Sequence, residues 1–293
     1  MYAIQTNKLT KYYGKTRGIE ELDLEVKKGE YFGFIGPNGA GKSTTIRTLL
    51  GLIQSNSGTG KVLGFDIVKE KQEILKRIGY LPSENMFYPR MKVKDALRLS
   101  EELYKVDCSK EIQMLCDRLQ LDTSKKVDAL SFGNKKKLAI VCALMHKPEL
   151  LILDEPTSGL DPLMQKEFFE ILKERHQEGT TIFLSSHILA EVQRNCSRAG
   201  IIREGKLIAC DSVEALAKTN AKRVQVLGSV DISELTGIRD LKQLENGLSF
   251  LYSGDINQLL RIFAHQEIVD LSISEPDLQE IFMHYYEDGG DRS

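Results

Sequence analysis

Gly36-Pro37-Asn38-Gly39-Ala40-Gly41-Lys42-Ser43-Thr44 is the stretch on which the fold turns. It follows the apolar run Tyr31-Phe32-Gly33-Phe34-Ile35 and leads into Thr44–Leu52, which reads as a helix ending near Gly51. A short apolar run bounded by turn residues reads as a buried strand. The segment therefore fits G-x-x-x-x-G-K-S/T in the strand–loop–helix context that this spacing needs. The glycines let the backbone curl so that successive amides face phosphate oxygens. The helix that follows points its positive end at the same place. Lys42 is expected to reach the β- and γ-phosphates, and the Ser43 hydroxyl to hold Mg²⁺.

Working outward, Leu150–Leu153 and Thr180–Leu184 are further apolar runs that read as buried strands, the latter preceded by a helical stretch from Leu163 to Glu178. Apolar strands separated by helices predict an α/β fold with a parallel sheet covered on both faces. Between Asn85 and His146 the pattern changes to amphipathic helices, as in Lys94–Leu99 and Ile112–Leu121, which predicts a helical insertion at about 85–146. Beyond Thr219, Arg223–Leu227 and Leu248–Tyr252 read as strands, and Ile256–His265 and Asp277–Tyr286 as helices. This predicts two domains, 1–219 and a small α+β appendage over 220–293.

Bulk properties narrow the classes. At 293 residues the chain has room for a large and a small core. A formal net charge of -2 argues against a dedicated nucleic-acid binder. The five cysteines are scattered, with no C-x-x-C pair, and predict reduced thiols with no disulfide framework or zinc site. The polar opening predicts no leader. No apolar run approaches the roughly 18 residues of a membrane helix, so any link to a membrane is expected through a partner and not by insertion.

Downstream residues give the phosphate loop a purpose. The strand Leu150–Leu153 runs into Asp154-Glu155. Asp154 at the strand end can orient Mg²⁺ through its water shell, and Glu155 can take a proton from an attacking water. His187, after the third strand, can contact the γ-phosphate and position that water. The guanine-reading N-K-x-D pattern is lacking, since Asn134-Lys135-Lys136-Lys137 has no aspartate.

With these residues in place, roughly 3–215 resembles the nucleotide-binding subunits of ATP-binding-cassette transporters. The motifs that carry the resemblance are the loop Gly36–Thr44, Asp154-Glu155-Pro156-Thr157, Ser158-Gly159-Leu160-Asp161, Ser186-His187 and Tyr13 in Lys11-Tyr12-Tyr13-Gly14. The resemblance implies a P-loop NTPase fold of the RecA-like kind, a mixed sheet with a helical subdomain. Tyr13 would stack on adenine, with Tyr12 the near alternative, and Lys42, Glu155 and His187 would carry catalysis. Leu130-Ser131-Phe132-Gly133-Asn134 stands where the family usually has L-S-G-G-Q. Ser131, Gly133 and Asp161 would act on the nucleotide of a second subunit. Lys135–Lys137 reads first as a solvated helix face. Gly79-Tyr80-Leu81-Pro82 is followed by Ser83-Glu84 where the family has glutamine, so either residue is a candidate for metal contact.

The implied partners are an integral membrane permease, docked beside Asn85–Tyr88, and a second cassette, here as a homodimer. ATP and Mg²⁺ are the implied cofactors. The implied location is the cytoplasmic face of the cell membrane, held there through the permease. Ser274–Phe282 is similar to the tail of subunits that export antimicrobial peptides and drugs. The competing readings are a soluble cassette ATPase of translation or DNA repair and a regulatory sensor. One cassette and no long heptad run favour transport over the first, and no motif supports the second.

Overall fold

The computed structural model describes residues 1–84, 87–217 and 221–274. The chain divides into two compact units, Met1–Val213 and the part from Glu214 onward. The tail resemblance beyond Ser274, the helix expected at Asp277–Tyr286, and Asn85 and Met86 of the expected docking segment lie outside the described residues.

The first unit opens with β1 (Tyr2–Tyr13), β2 (Thr16–Leu22) and β3 (Glu25–Lys27) before β4 (Tyr31–Ile35), whose five residues are all buried. After α1 (Lys42–Leu49) come β5 (Ser57–Val62), β6 (Phe65–Asp66), α2 (Lys71–Leu75) and β7 (Ile78–Leu81). Strands β2, β1, β5 and β6 form an antiparallel sheet in that order, with β3 also on β1. This sheet was not anticipated: its strands alternate irregularly and β1 carries register shifts against its neighbours, which blurs a period-2 signal.

The helical segment holds α3 (Val93–Tyr104), α4 (Ser109–Arg118), a single 3-10 turn at Val127–Ala129, and α5 (Phe132–Leu144). In α3 the buried residues are Val93, Ala96 and Leu97, the i, i+3, i+4 spacing of one helix face. Then follow β8 (Leu150–Asp154), α6 (Pro162–Gln177), β9 (Thr181–Ser186), α7 (Leu189–Asn195), β10 (Arg198–Arg203) and β11 (Lys206–Ser212). Helix α6 starts with Pro162 in its first turn and Asp161 as N-cap, the Asp161 carboxylate accepting from Met164 N–H at 3.0 Å. Its buried Met164, Phe168, Ile171, Leu172 and Arg175 make one inward stripe. Arg118 of α4 donates to Glu167 at 2.6 Å and to Glu174 at 2.9 Å, and Glu111 pairs with the buried Arg175, so α4 is pinned to α6.

The main sheet runs β11-β10-β4-β9-β8-β7, parallel except for β11. Its core packs Phe32 and Phe34 against Phe183, ring centroids 5.8 and 5.3 Å apart, with Ile46, Leu49 and Leu50 of α1 in the same cluster. Each such buried aromatic contributes about 1.5–3 kcal/mol. The register sets the carboxyl ends level: Asp154 lies opposite Ser185, Ile35 opposite Ser186, and Leu81 opposite Leu153. Loops leaving β4, β8, β9 and β7 therefore emerge side by side, where open α/β sheets bind ligands.

The second unit begins within α8 (Val213–Ala217) and holds β12 (Lys222–Ser229), β13 (Ile238–Leu244), β14 (Gly247–Tyr252), α9 (Ile256–Phe263) and β15 (Glu267–Ser274). Its antiparallel sheet, β13-β14-β12-β15, packs Val224, Val226, Phe250 and Tyr252 with Leu259 and Phe263 of α9.

Candidate functional site

The loop between β4 and α1 is closed by backbone geometry that only certain residues accept. Gly41, the residue before α1, has φ 109°, in the left-handed region, and a Cβ there would stand 2.6 Å from Gly18 O. Any side chain would push β2 off the loop. Gly18 itself is a close-approach position: a Cβ on it would meet Thr44 Cγ2 at 2.8 Å and the Tyr13 ring at 3.1 Å. Tyr13 thus stands at the helix start beside Thr44, half exposed, with Lys11 Nζ 5.4 Å from its ring centroid. Tyr12 is the less exposed of the two. Gly36 and Ala40 are buried, whereas Pro37, Asn38 and Gly39 are open to solvent.

Lys42 is buried, and its ammonium donates to Gly36 O at 2.6 Å and Pro37 O at 3.2 Å. The same Nζ stands 3.3 Å from Glu155 Oε1. The other carboxylate oxygen of Glu155 is 2.6 Å from His187 Nδ1, and the His187 side chain is half exposed. Three residues expected from sequence, Glu155 and His187 lying 113 and 145 positions after Lys42, thus meet in one line: Lys42, Glu155, His187. Three neighbouring strand ends bring them together.

Asp154 is buried beneath this line. Its Oδ1 accepts from Ser185 Oγ at 3.1 Å, while Oδ2 is a buried acceptor without a hydrogen-bond partner among the described residues. A buried unpaired carboxylate oxygen is costly, and an acceptor aimed at a hydrated divalent cation relieves that cost. The donor types, a hydroxyl at Ser43 and the carboxylate of Asp154, are the oxygen chemistry that Mg²⁺ takes. Ser43 is half-buried, Ser83 is half-buried and Glu84 is exposed.

Ser131 caps α5, its hydroxyl accepting from Asn134 N–H at 3.3 Å and from Asn134 Nδ2 at 3.0 Å. Asn134, in the place of the family's glutamine, is therefore a partner of the cap. Phe132 is 57% exposed and lies against Gly159, while a Cβ on Gly133 would stand 2.7 Å from Gly159 O. The turn at 131–133 and the turn at 158–161 are thus packed on each other within one chain. Asp161, expected to act on another subunit's nucleotide, serves here as the α6 cap.

The structure corrects the reading of Lys135–Lys137 as a solvated face. Lys136 is fully buried, and its ammonium donates to Pro82 O and Glu155 O, both at 3.1 Å. Burial pulls its pKa down to about 8, partly countered by the carboxylates of Asp154 and Glu155. Two further residues escaped the sequence reading. Ser185 orients Asp154, and Glu191 accepts from Thr157 Oγ1 at 2.6 Å and from Ser186 Oγ at 2.8 Å, tying the loop after β8 to the loop after β9. A lysine triplet one turn into an otherwise apolar helix was the available signal for Lys136; nothing local marks Ser185 or Glu191.

A family model described as ABC transporter matches residues 19–158. The bacitracin transport ATP-binding protein BcrA of Bacillus licheniformis is 36% identical over 293 residues, which covers 96% of this chain and 96% of that protein. The linearmycin resistance ATP-binding protein LnrL of Bacillus subtilis is 32% identical over 302 residues, covering 96% of this chain and 97% of that one. A solved structure described as the ATP binding subunit of an ABC transporter superposes with a TM-score of 0.70 at 30% identity, covering 73% of this chain and 91% of its own. Subunits of this kind bind and hydrolyse ATP and work with membrane permeases, and a cassette that shares the fold at 20% identity and a TM-score of 0.64 is described as dimeric. Among the described residues, no helix is long and apolar enough to cross a membrane. With a phosphate loop, a buried acid and an acid–histidine pair at adjacent strand ends, and with relatives matched along nearly its whole length, the chain belongs to the ABC transporter family as one of its ATP-binding, ATP-hydrolysing subunits.

Proposed function

We propose that this subunit powers a membrane exporter of antimicrobial peptides or drugs from the cytoplasmic face of the cell membrane, paired with an identical cassette. The observation that carries the ATPase part is the Lys42–Glu155–His187 line at the phosphate loop. The cargo class rests on the relatives named for bacitracin transport and linearmycin resistance, which align along nearly the whole chain.

The geometry supports a division of labour among these residues. Gly36–Thr44 wraps the phosphates with backbone amides, and Tyr13 offers a ring to adenine. Lys42 exchanges its contact with Glu155 for phosphate oxygens. Glu155 then takes the proton of the attacking water, and His187, hydrogen-bonded to the same carboxylate, holds it in line with the γ-phosphate. Mg²⁺ would be held by Ser43 and, through water, by Asp154, with Ser83 or Glu84 as a further candidate, and would neutralise charge on the β- and γ-phosphates. Ser131 and Gly133, at a helix start, and Asp161 complete the site of the partner subunit, so that ATP joins two chains and hydrolysis releases them. The unit from Glu214 onward is assigned as an accessory domain that assists pairing.

The test is made in cells and on membranes. Deleting the gene should raise sensitivity to bacitracin-like peptides several-fold, and the native subunit should restore resistance where a Glu155→Gln form does not. Affinity purification from solubilised membranes should bring down an integral membrane subunit. Recovery without any such subunit would favour a non-transport cassette and overturn the proposal.

A further inference from the structure

Glu155 has a backbone that a glutamate does not adopt willingly. Its φ is 49°, in the left-handed region, and the next residue is Pro156. A Cβ crowds the carbonyl in that region, and a following proline restricts the preceding residue still further. Such a conformation persists only where its surroundings hold it. Three main-chain contacts do so: Glu155 N–H donates to Ser185 O at 3.0 Å, and Glu155 O accepts from Ser158 N–H at 3.4 Å in its own turn and from Lys136 Nζ at 3.1 Å.

The shorter contact to Glu155 O comes from a remote element. Lys136 lies on α5, two positions past Asn134 of the cap, and is fully buried. Its ammonium also donates to Pro82 O, the carbonyl immediately before Ser83. One buried cation therefore spans three pieces of the site: the helix that begins at Ser131, the turn at 82–84, and the strained turn that carries Glu155. The carboxylates of Asp154 and Glu155 lie close enough to stabilise its charge in this buried place.

We propose that Lys136 is a positioning residue for ATP hydrolysis, which holds the Glu155 peptide in its strained conformation and couples it to the turn at Pro82-Ser83. Both of these Lys136 hydrogen bonds go to main-chain carbonyls. Lys136 acts by aiming the Glu155 carboxylate, and a misplacement of about 1 Å at such a group costs roughly 100-fold in rate. A neutral side chain of equal length cannot replace it, because Pro82 O would lose this donor and Glu155 O would keep only the longer contact from Ser158 N–H at 3.4 Å. Arginine carries its charge on a planar fork whose geometry differs from that of an ammonium.

The inference rests on the proposed role of Glu155 as base, and the experiment separates the two. Phosphate release and binding of a fluorescent ATP analogue are measured on purified wild type, Lys136→Met, Lys136→Gln, Glu155→Gln and the Lys136→Met/Glu155→Gln double variant. Lys136→Met should lower kcat by about 10- to 100-fold, with analogue affinity and KM within about threefold of wild type. In the Glu155→Gln background it should cost less than about twofold further, since there is no base left to aim. If Lys136→Met does not fold, Lys136→Gln, which keeps one donor on a shorter chain, takes its place alone and in the double variant, with the same expectations. A kcat within twofold of wild type overturns the inference, as does an equal loss in both backgrounds or a loss in which affinity falls in proportion. Wild-type turnover by Glu155→Gln alone instead overturns the role of Glu155 as base.

Discussion

Glu155→Gln is the sharpest perturbation the site offers. The glutamate side chain is mostly buried, with one oxygen 2.6 Å from His187 Nδ1 and the other 3.3 Å from Lys42 Nζ. Glutamine keeps the shape and removes the charge and the ability to take a proton, so the fold should survive. Loss of a positioned base costs about 10²- to 10⁴-fold in turnover, which is about 2.7 to 5.5 kcal/mol of barrier. Binding should not weaken. Lys42 is held by Glu155 in competition with any phosphate that approaches, and the substitution removes that anionic competitor. The expected pattern is a large fall in kcat with nucleotide affinity equal to or above wild type. Steady-state phosphate release at saturating ATP gives the first quantity, and equilibrium titration with ATP gives the second. Turnover at the wild-type rate would falsify the assignment of the base. A fall in kcat matched by an equal fall in affinity would show that Glu155 supports binding, and the argument from competition at Lys42 would fail with it.

Two further expectations test other parts of the molecule. Tyr13→Ala should weaken ATP binding by roughly 5- to 150-fold, the loss of a base stack of about 1–3 kcal/mol, whereas Tyr13→Phe should bind as wild type does; calorimetric titration decides, and a loss on Tyr12→Ala in its place would move the stack to the neighbouring ring. His146 sits half-buried, stacked on Tyr104 with its Nε2 3.0 Å from Ile78 O, and burial pulls its pKa from 6.5 down to about 4. The unfolded chain therefore binds a proton that the folded chain refuses between pH 6.5 and 4, so stability present above pH 6.5 is lost as pH falls through that window, by at most about 3 kcal/mol. Urea titrations should show this slope flattened in His146→Gln; an unchanged slope assigns it to other groups.

Much of the site was legible because its residues are local signals. Gly36–Ser43 requires a strand before it and a helix after it, and β4 and α1 occupy those places, with α1 starting at Lys42 and ending at Leu49, earlier than the expected Thr44–Leu52. The buried parallel strands were legible as apolar runs, and β8 and β9 extend one and two residues past the expected ends, into Asp154 and Ser186. Those extra residues are polar, and only the pairing of adjacent strands shows that they continue the ladder. The antiparallel β1–β2–β5–β6 sheet was missed because its bulges break alternation, and β13 because its residues are largely exposed on both faces.

By itself the sequence determined which chemical groups are present and in what local frame: a phosphate-cradling loop, an acid pair at the end of an apolar strand, a histidine after another. Local frames follow from chain spacing and backbone preference, which act over a few residues. Tertiary structure alone decided what meets what. It brought Lys42, Glu155 and His187 into one line, set Ser185 on Asp154, and buried Lys136 between Pro82 and Glu155. Lys135, Lys136 and Lys137 are the same residue type side by side, and their environments differ because helical rotation turns one of them inward. There the buried carbonyls of two distant turns need a donor, and a free energy of burial that would normally expel a lysine is offset by what it holds.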